Sequence, residues 1–327
     1  MHRRVVLRYL AAALAFGSLG GAGGVRAQRS RPSRVGWLSY LPPPDPALAL
    51  LREGLRDLGH VEGQSYEISA RFAHNDFTRL PALVDELVAD RIDVLVSRGP
   101  SVDFTKRVRD RVPVVFVYSG DPVAAGFADS LGKPGRNMTG MTFMASELCA
   151  KRVEMLKELL PGAKRIALLS NPEHAGELIE YRVTEDSARR LGAEVTRYLV
   201  HKPEELAPAF EAIRAARFDA VLVFPDSLTL NRRKEIADLA AQSRIPCLYG
   251  WTEFVEAGGL VSYGPTILEG FRALAVFTDK ILKGGNANTI PIEQARGISL
   301  SLNRAAAIAL GIKIPPALLA RVDRVIE

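Results

Sequence analysis

The chain reads as an α/β protein of two lobes, each a mostly parallel sheet flanked by helices, with a ligand cleft where they meet. Three observations carry that reading. Arg217 to Ser227 (Arg-Phe-Asp-Ala-Val-Leu-Val-Phe-Pro-Asp-Ser) is an apolar strand that ends in a short polar loop, and Arg91 to Ser101 repeats its basic opening, Asp, apolar run and Pro-bearing exit. The echo extends outward: Arg34 to Tyr40 matches Arg165 to Asn171, and Arg111 to Val117 matches Arg244 to Gly250. Apolar runs of this length, alternating with helical patterns, form strands covered on both faces, hence parallel sheets. Finally, 327 residues exceed one typical core and suit two domains of roughly 130 to 150 residues.

The opening residues stand apart from the fold. His2, Arg3 and Arg4 are a basic start, Val5 to Leu19 is largely apolar, and Val25-Arg26-Ala27 ends in a small-residue cleavage pattern. Residues 1–27 are read as a secretory signal peptide, with Arg3-Arg4 leaving the Sec and twin-arginine routes both open. Periplasmic localisation follows. Without Arg3, Arg4, Arg8 and Arg26 the 43 basic residues fall to 39 against 37 acidic ones, so the high pI belongs largely to the leader. No basic stripe with interleaved aromatics remains, which argues against a nucleic-acid partner. Cys149 and Cys247 sit in apolar surroundings and are expected to be buried thiols, although export permits a disulfide.

Strand 35–39 leads through the proline-rich loop 41–46 into a helix at 47–58 with Leu48, Leu51, Leu55 and Leu58 inward and Gly59 closing it. A strand at 64–73, a helix at 78–90 and a strand at 92–97 complete a doubly wound half-sheet. Gly99-Pro100-Ser101 is expected to open a helix running to about Asp110, whose free N–H groups form either an anion site or an ordinary turn. Strand 114–118 turns at Ser119-Gly120-Asp121-Pro122, and 132–140 reads as a loop leading to the crossing Met141-Thr142-Phe143. The second half repeats the alternation: strands at 166–169, 194–199, 220–224, 246–249 and 260–263, helices at 151–160, 178–191, 203–216 and 231–243. A helix from Pro265 to about Leu282 returns to the first lobe, followed by a strand near 297–302 and helices at 304–310 and 316–322. The lobes are therefore drawn as 33–142 plus about 265–285 and 143–264 plus about 286–327.

In parallel sheets ligands bind beyond the carboxyl ends of the strands, so the polar exits should face one another. Tyr40, Gly99, Pro100, Ser101, Tyr118, Ser119, Asp121, Asn171, Asp226, Ser227, Tyr249 and Tyr263 are the candidate ligand-binding residues. Asp226 reads equally as a helix cap or as a carboxylate for a ligand ammonium. Asp121 reads first as a cap. The tyrosines, with Trp251 beside them, suggest an aromatic wall. His60, His74, His174 and His201 have no metal-ligand spacing, and no GxSxG elbow, P-loop or GxGxxG is present. No metal, cofactor or catalytic residue is assigned. His174 reads as loop surface, and Lys151 and Arg152 as a solvated helix face.

These residues carry a resemblance. Arg52-Glu-Gly-Leu-Arg-Asp-Leu-Gly59 with Val61-Glu-Gly63, Gly120-Asp-Pro-Val123, Pro134-Gly135 with Asn137-Met-Thr-Gly140, Phe254-Val-Glu-Ala-Gly-Gly259 with Ser262-Tyr-Gly-Pro265, Asp279 to Gly284, and Ala309-Leu-Gly-Ile with Ile314-Pro-Pro316 lie along nearly the whole of 34–327. In them the chain resembles the ABC transporter substrate-binding proteins of tryptophan and tyrosine type, with a type I periplasmic-binding fold. The resemblance implies a monomer that captures a small solute, in relatives an aromatic amino acid, and delivers it to a membrane permease driven by an ATPase. Carried over by position, Gly99 to Ser101 would hold the carboxylate, Asp226 the ammonium, and Tyr118, Tyr249 and Tyr263 would line the pocket. Arg98-Gly99, where relatives commonly place Thr before the Pro, and Glu173-His174 after Asn171-Pro172 depart from the pattern. A sensory binding protein would look the same in sequence; an exported α/β enzyme would need a nucleophile and base inside the cleft.

Overall fold

A computed structural model describes residues 31–327 apart from Ala175; the leader assigned to 1–27 lies outside the described residues. The first sheet contains β1 (Ser33–Ser39), β2 (Tyr66–Phe72), β3 (Val94–Arg98), β4 (Val114–Tyr118), β5 (Met138–Thr142) and, from far along the chain, β11 (Glu293–Gln294). Its order is β11-β5-β4-β3-β1-β2 and every pairing is parallel. The second sheet holds β6 (Arg165–Ser170), β7 (Glu194–Leu199), β8 (Ala220–Val223), β9 (Cys247–Tyr249), β10 (Val261–Gly264), β12 (Ser299–Asn303) and β13 (Arg324–Ile326). There the order is β13-β12-β10-β9-β8-β6-β7, with β10 and β12 antiparallel. Both sheets are strung on apolar runs buried on both faces: Val94, Leu95 and Val96 in one, Val221, Leu222 and Val223 in the other.

Helices α1 (Pro46–Asp57), α2 (Leu80–Ala89) and α3 (Val102–Thr105) flank the first sheet. Asp45 caps α1 by accepting from the Ala47 N–H at 3.0 Å, Pro46 fills the first turn, and Leu48, Leu51 and Leu55 are buried. The second sheet carries α4 (Ala145–Leu159), α5 (Glu177–Arg190), α6 (Leu206–Ala215), α7 (Ser227–Asn231), α8 (Arg233–Ser243) and α9 (Thr252–Glu256). Helix α10 (Ile267–Leu282) crosses back to pack on α1, β4 and β5; α11 (Arg304–Ala309) and α12 (Pro316–Leu319) close the second lobe. The α1–α10 contact is close: a Cβ added to Gly54 would sit 2.5 Å from the Ala275 Cβ.

Several expectations need correction. The 132–140 loop ends earlier than read, because Met138–Thr142 is a full strand of the first sheet. Gly140 disguises it; at φ +150 its backbone lies so close to β4 that an added Cβ would stand 1.9 Å from the Phe116 carbonyl oxygen. The helix expected from Pro100 to Asp110 is only α3 plus a preceding 3-10 turn, since β-branched Val102, Thr105 and Val108 with Phe104 weaken the helix. The segment from 286, assigned by sequence to the second lobe, first runs along the first sheet, pairing Glu293 with Met141. The chain thus passes between the sheets at 142–145, 264–267 and 294–299. Arg152 is buried, its Nε donating to the Tyr263 carbonyl at 3.0 Å. Cys149 and Cys247 are free and buried, and burial pushes each thiol up to about 12. Among the described residues no helix is long and apolar enough to cross a membrane.

Candidate functional site

The loops leaving β3, β4, β6, β8 and β9 converge on one cavity of about 30 Å³ lined by both lobes. From the first lobe come Arg98, Gly99, Pro100 and Ser119, with Val117 below them; from the second come His174, Asp226, Ser227 and Trp251. Phe143, just after β5, and Phe271 on α10 supply the apolar floor. The Phe143 and Trp251 rings meet edge-on across the lobes, with centroids 6.1 Å apart.

Asp226 is fixed by its own helix. Its Oδ1 accepts from the Thr229 N–H at 2.8 Å while Thr229 Oγ1 accepts from the Asp226 N–H at 3.2 Å, a reciprocal capping box on α7. Oδ2 is buried and has no hydrogen-bond partner. Burial raises the carboxyl above the usual Asp range, against the opposing pull of the Thr229 N–H and of His174. Both sequence readings of Asp226 therefore meet in one side chain: one oxygen caps, the other is uncommitted.

His174 is not loop surface. It is 6 % exposed, its Nε2 lies 2.7 Å from Glu180 Oε1, and its Nδ1 lies 3.3 Å from Ser119 Oγ on the other lobe. Burial opposes the imidazolium charge, but the carboxylates of Glu180, Asp226 and Glu177 outweigh it and the pKa is raised. Ser119 Oγ is also 3.5 Å from Nε2. A hydroxyl so nearly equidistant from both ring nitrogens lies off the axis that a serine-activating base requires. The row is a polar contact between lobes.

Arg98 ends β3 with its guanidinium buried, donating from NH2 to Asp45 Oδ1 at 3.1 Å and lying 5.0 Å from the centre of the Phe271 ring. Its Nε and the Asp45 Oδ2 have no partner. Gly99 adopts φ +55, and a Cβ there would stand 2.5 Å from Ser227 Oγ of the opposite lobe, so glycine permits a close approach of the two.

The remaining candidates fall elsewhere. Ser101 is buried behind the turn; it makes no capping bond and its Oγ is unpartnered. Asp121 accepts from the Val123 and Ala124 N–H groups as a turn cap. Asn171 Oδ1 accepts from the Glu173 N–H, 3.0 Å away, and so shapes the loop that carries His174. Tyr118 is core, edge-on to Phe127 at 4.9 Å, and burial raises its phenol. Tyr249 stacks on Phe254 at 4.7 Å, fully buried and turned away from the cavity. Tyr263 packs against the outer core of the second lobe. The aromatic wall is therefore Trp251, which the strand-exit pattern marks, with Phe143 and Phe271, which it does not. Tyr40 lies at the mouth, its hydroxyl donating to the Asn75 carbonyl at 2.9 Å; burial, with Asp226 adding to it, pushes the phenol up to about 12. No group of His, Cys, Asp and Glu suited to a metal occurs among the described residues.

Residues 45–326 match the family model described as ABC transporter substrate binding protein. A protein named tyrosine-binding protein, from Clostridioides difficile, is 25 % identical over 244 residues, 73 % of this chain and 69 % of that one. Among solved structures, a conserved domain protein of Vibrio cholerae O1 biovar El Tor superposes with a TM-score of 0.80 at 26 % identity, covering 90 % of this chain and all of that one. A Streptococcus domain solved in complex with L-Trp gives 0.78 at 22 % identity over 90 % of this chain. These two share the type I periplasmic-binding architecture seen here.

Proposed function

Because the chain belongs to the family of ABC transporter substrate binding proteins, we propose that its cleft captures a small zwitterionic solute, in the first instance an aromatic amino acid, and releases it unchanged to a membrane permease served by a separate ATPase. The observation that carries this is the lining of the joint between the lobes, whose space of about 30 Å³ widens to admit an amino acid only as the lobes part. Asp226 Oδ2 offers an uncommitted carboxylate oxygen, and Phe143, Trp251 and Phe271 offer apolar faces, all inside a joint between two lobes. A carboxylate oxygen buried without a partner is costly, and an ammonium hydrogen-bonded to it offsets that cost. The Clostridioides relative, named for tyrosine, and the Streptococcus structure, solved with L-Trp, support the choice of solute.

The segments 142–145, 264–267 and 294–299 would form the hinge, letting the lobes open and close as units. Export by way of residues 1–27, a periplasmic location and action as a monomer belong to the same reading. The test is calorimetric titration of residues 28–327 with L-tyrosine and L-tryptophan, beside thermal melting. A ligand of the closed form at a hundred times its dissociation constant adds about 2.7 kcal/mol of stability. Absence of heat and of any melting shift with both amino acids would refute the assignment of the solute.

A further inference from the structure

The cleft has a second compartment. A chamber of about 280 Å³ opens beside the inner cavity, between the proline-rich loop 41–46 of the first lobe and the 201–203 turn and α7 of the second. That volume lies near the lower end of ordinary ligand pockets, roughly 300 Å³. The two spaces share α7: Asp226, Ser227 and Leu230 line the inner one, Leu228, Asn231 and Arg232 the outer.

The walls of the chamber differ in kind. On the first-lobe side Tyr40 is held rigid, stacked on Phe77 at 4.2 Å and anchored through its hydroxyl to Asn75. Beside it Pro42, Pro43 and Pro44 present rings that have no N–H to satisfy and little freedom to lose. Such a wall suits an apolar, flat body. The second-lobe side carries His201, Lys202 and Arg232. His201 Nδ1 is 3.6 Å from Glu173 Oε1 and Arg232 NH1 is 3.8 Å from Glu235 Oε2, both at the long end of an ion pair, and Lys202 has no ion pair among the described residues. No Asp or Glu lines the chamber. One wall is apolar; the other carries the charges of Lys202, which has no ion pair among the described residues, and of Arg232, with the His201 ring beside them.

We propose that this outer chamber is a subsite for an anionic group carried on an apolar body, so that the cleft takes an aryl or short-chain carboxylate with the acid facing Lys202, His201 and Arg232. The inference rests on the proposed capture of a solute in the cleft and adds where its acid group sits. It replaces the turn at Gly99 to Ser101, where the helix is a single turn and Ser101 faces away. Because both lobes build the chamber, occupancy favours the closed form.

The test uses hydrocinnamate, its uncharged amide and L-tyrosine as probes in calorimetry on the wild-type chain and on the Lys202→Gln/Arg232→Gln double variant. Both replaced side chains are exposed, and an unchanged melting point verifies the fold. Hydrocinnamate should bind the wild type about tenfold more tightly than its amide does, should lose about tenfold in the double variant, and should weaken with added salt. Equal affinity of acid and amide, indifference to the double variant, or no binding of hydrocinnamate at millimolar concentration overturns the proposal. The two readings separate cleanly. L-tyrosine that binds, depends on Asp226 and ignores Lys202 and Arg232 leaves amino-acid capture standing and removes the outer subsite. Hydrocinnamate that depends on Lys202 and Arg232 while L-tyrosine does not bind does the reverse.

Discussion

Replacing Asp226 by Asn separates the two tasks of this side chain. The amide oxygen of Asn caps a helix about as well as a carboxylate does, so the bond to the Thr229 N–H survives while the charge at Oδ2 is removed. Burial raises the folded-state pKa of Asp226, so the fold prefers the protonated acid. The associated stability is fully present below the ordinary Asp range, about 3.9, and is lost as pH rises through the folded value. At neutral pH the ligand-free wild type therefore bears the cost of a buried charge that Asp226→Asn does not. The variant should melt at or above the wild-type temperature at pH 7, and the difference should close as pH falls below about 4. Binding moves the other way: loss of a charge-assisted bond to an ammonium costs about 2 kcal/mol, or roughly thirtyfold in Kd. Melting across pH and titration with L-tyrosine read the two effects independently. A variant that melts lower at pH 7 and binds with wild-type affinity would show that Asp226 only caps α7, and the ammonium argument would fall.

Further predictions follow the same geometry. His174 holds its proton more tightly than free imidazole, so its contribution to stability is complete below about pH 6.5 and is lost as pH rises through the raised folded value. His174→Gln should flatten the melting profile on the alkaline side; an unchanged slope would mean another group titrates there. Gly99→Ala places a Cβ against Ser227 Oγ in a left-handed conformation, costing about 1 to 2 kcal/mol in backbone strain and wedging the lobes apart. Affinity should drop and be partly restored by adding Ser227→Ala, with no restoration if the strain alone matters. The thiols of Cys149 and Cys247, both pushed up to about 12, should react with a thiol reagent only as the native protein unfolds. Labelling within seconds of mixing would contradict their burial.

The strand-and-helix alternation was legible because buried parallel strands write themselves as apolar runs, as at Val94 to Val96 and Val221 to Val223. What escaped was written in other terms. Strand β5 is interrupted in sequence by Gly140, which local pattern reads as a loop residue, although the reason for the glycine is the Phe116 carbonyl of a neighbouring strand. Strand β11 is two residues long and has no period to detect. Within the site, the positions at strand exits were readable but the directions of their side chains were not. Tyr118, Tyr249 and Tyr263 share a rim in sequence and turn into the sheets' own cores, while Phe143 and Phe271 reach the cavity from a crossing segment and a returning helix. His174 had one faint signal, a Glu six residues on that a helix start could bring back to it. Arg98 stood out in sequence as a departure; its burial against Asp45 and Phe271 depends on contacts 53 residues upstream and on α10.

The return of the chain to its first sheet has a consequence for the order of folding during synthesis. Residues 145–264 supply five of the seven strands of the second sheet in one uninterrupted stretch, with β12 and β13 following at 299–326, and the first lobe lacks its covering helix α10 and its edge strand β11 until residue 294 has been made. Until then the Val115 and Val117 face of β4 and the inward side of α1 have nothing to bury against, and the outer edge of β5 has unpaired backbone groups. Each lobe therefore waits for a returning segment, the first lobe for α10 and β11 and the second for β12 and β13, and a nascent chain halted before α10 would present a sticky, half-roofed first sheet suited to a holding chaperone.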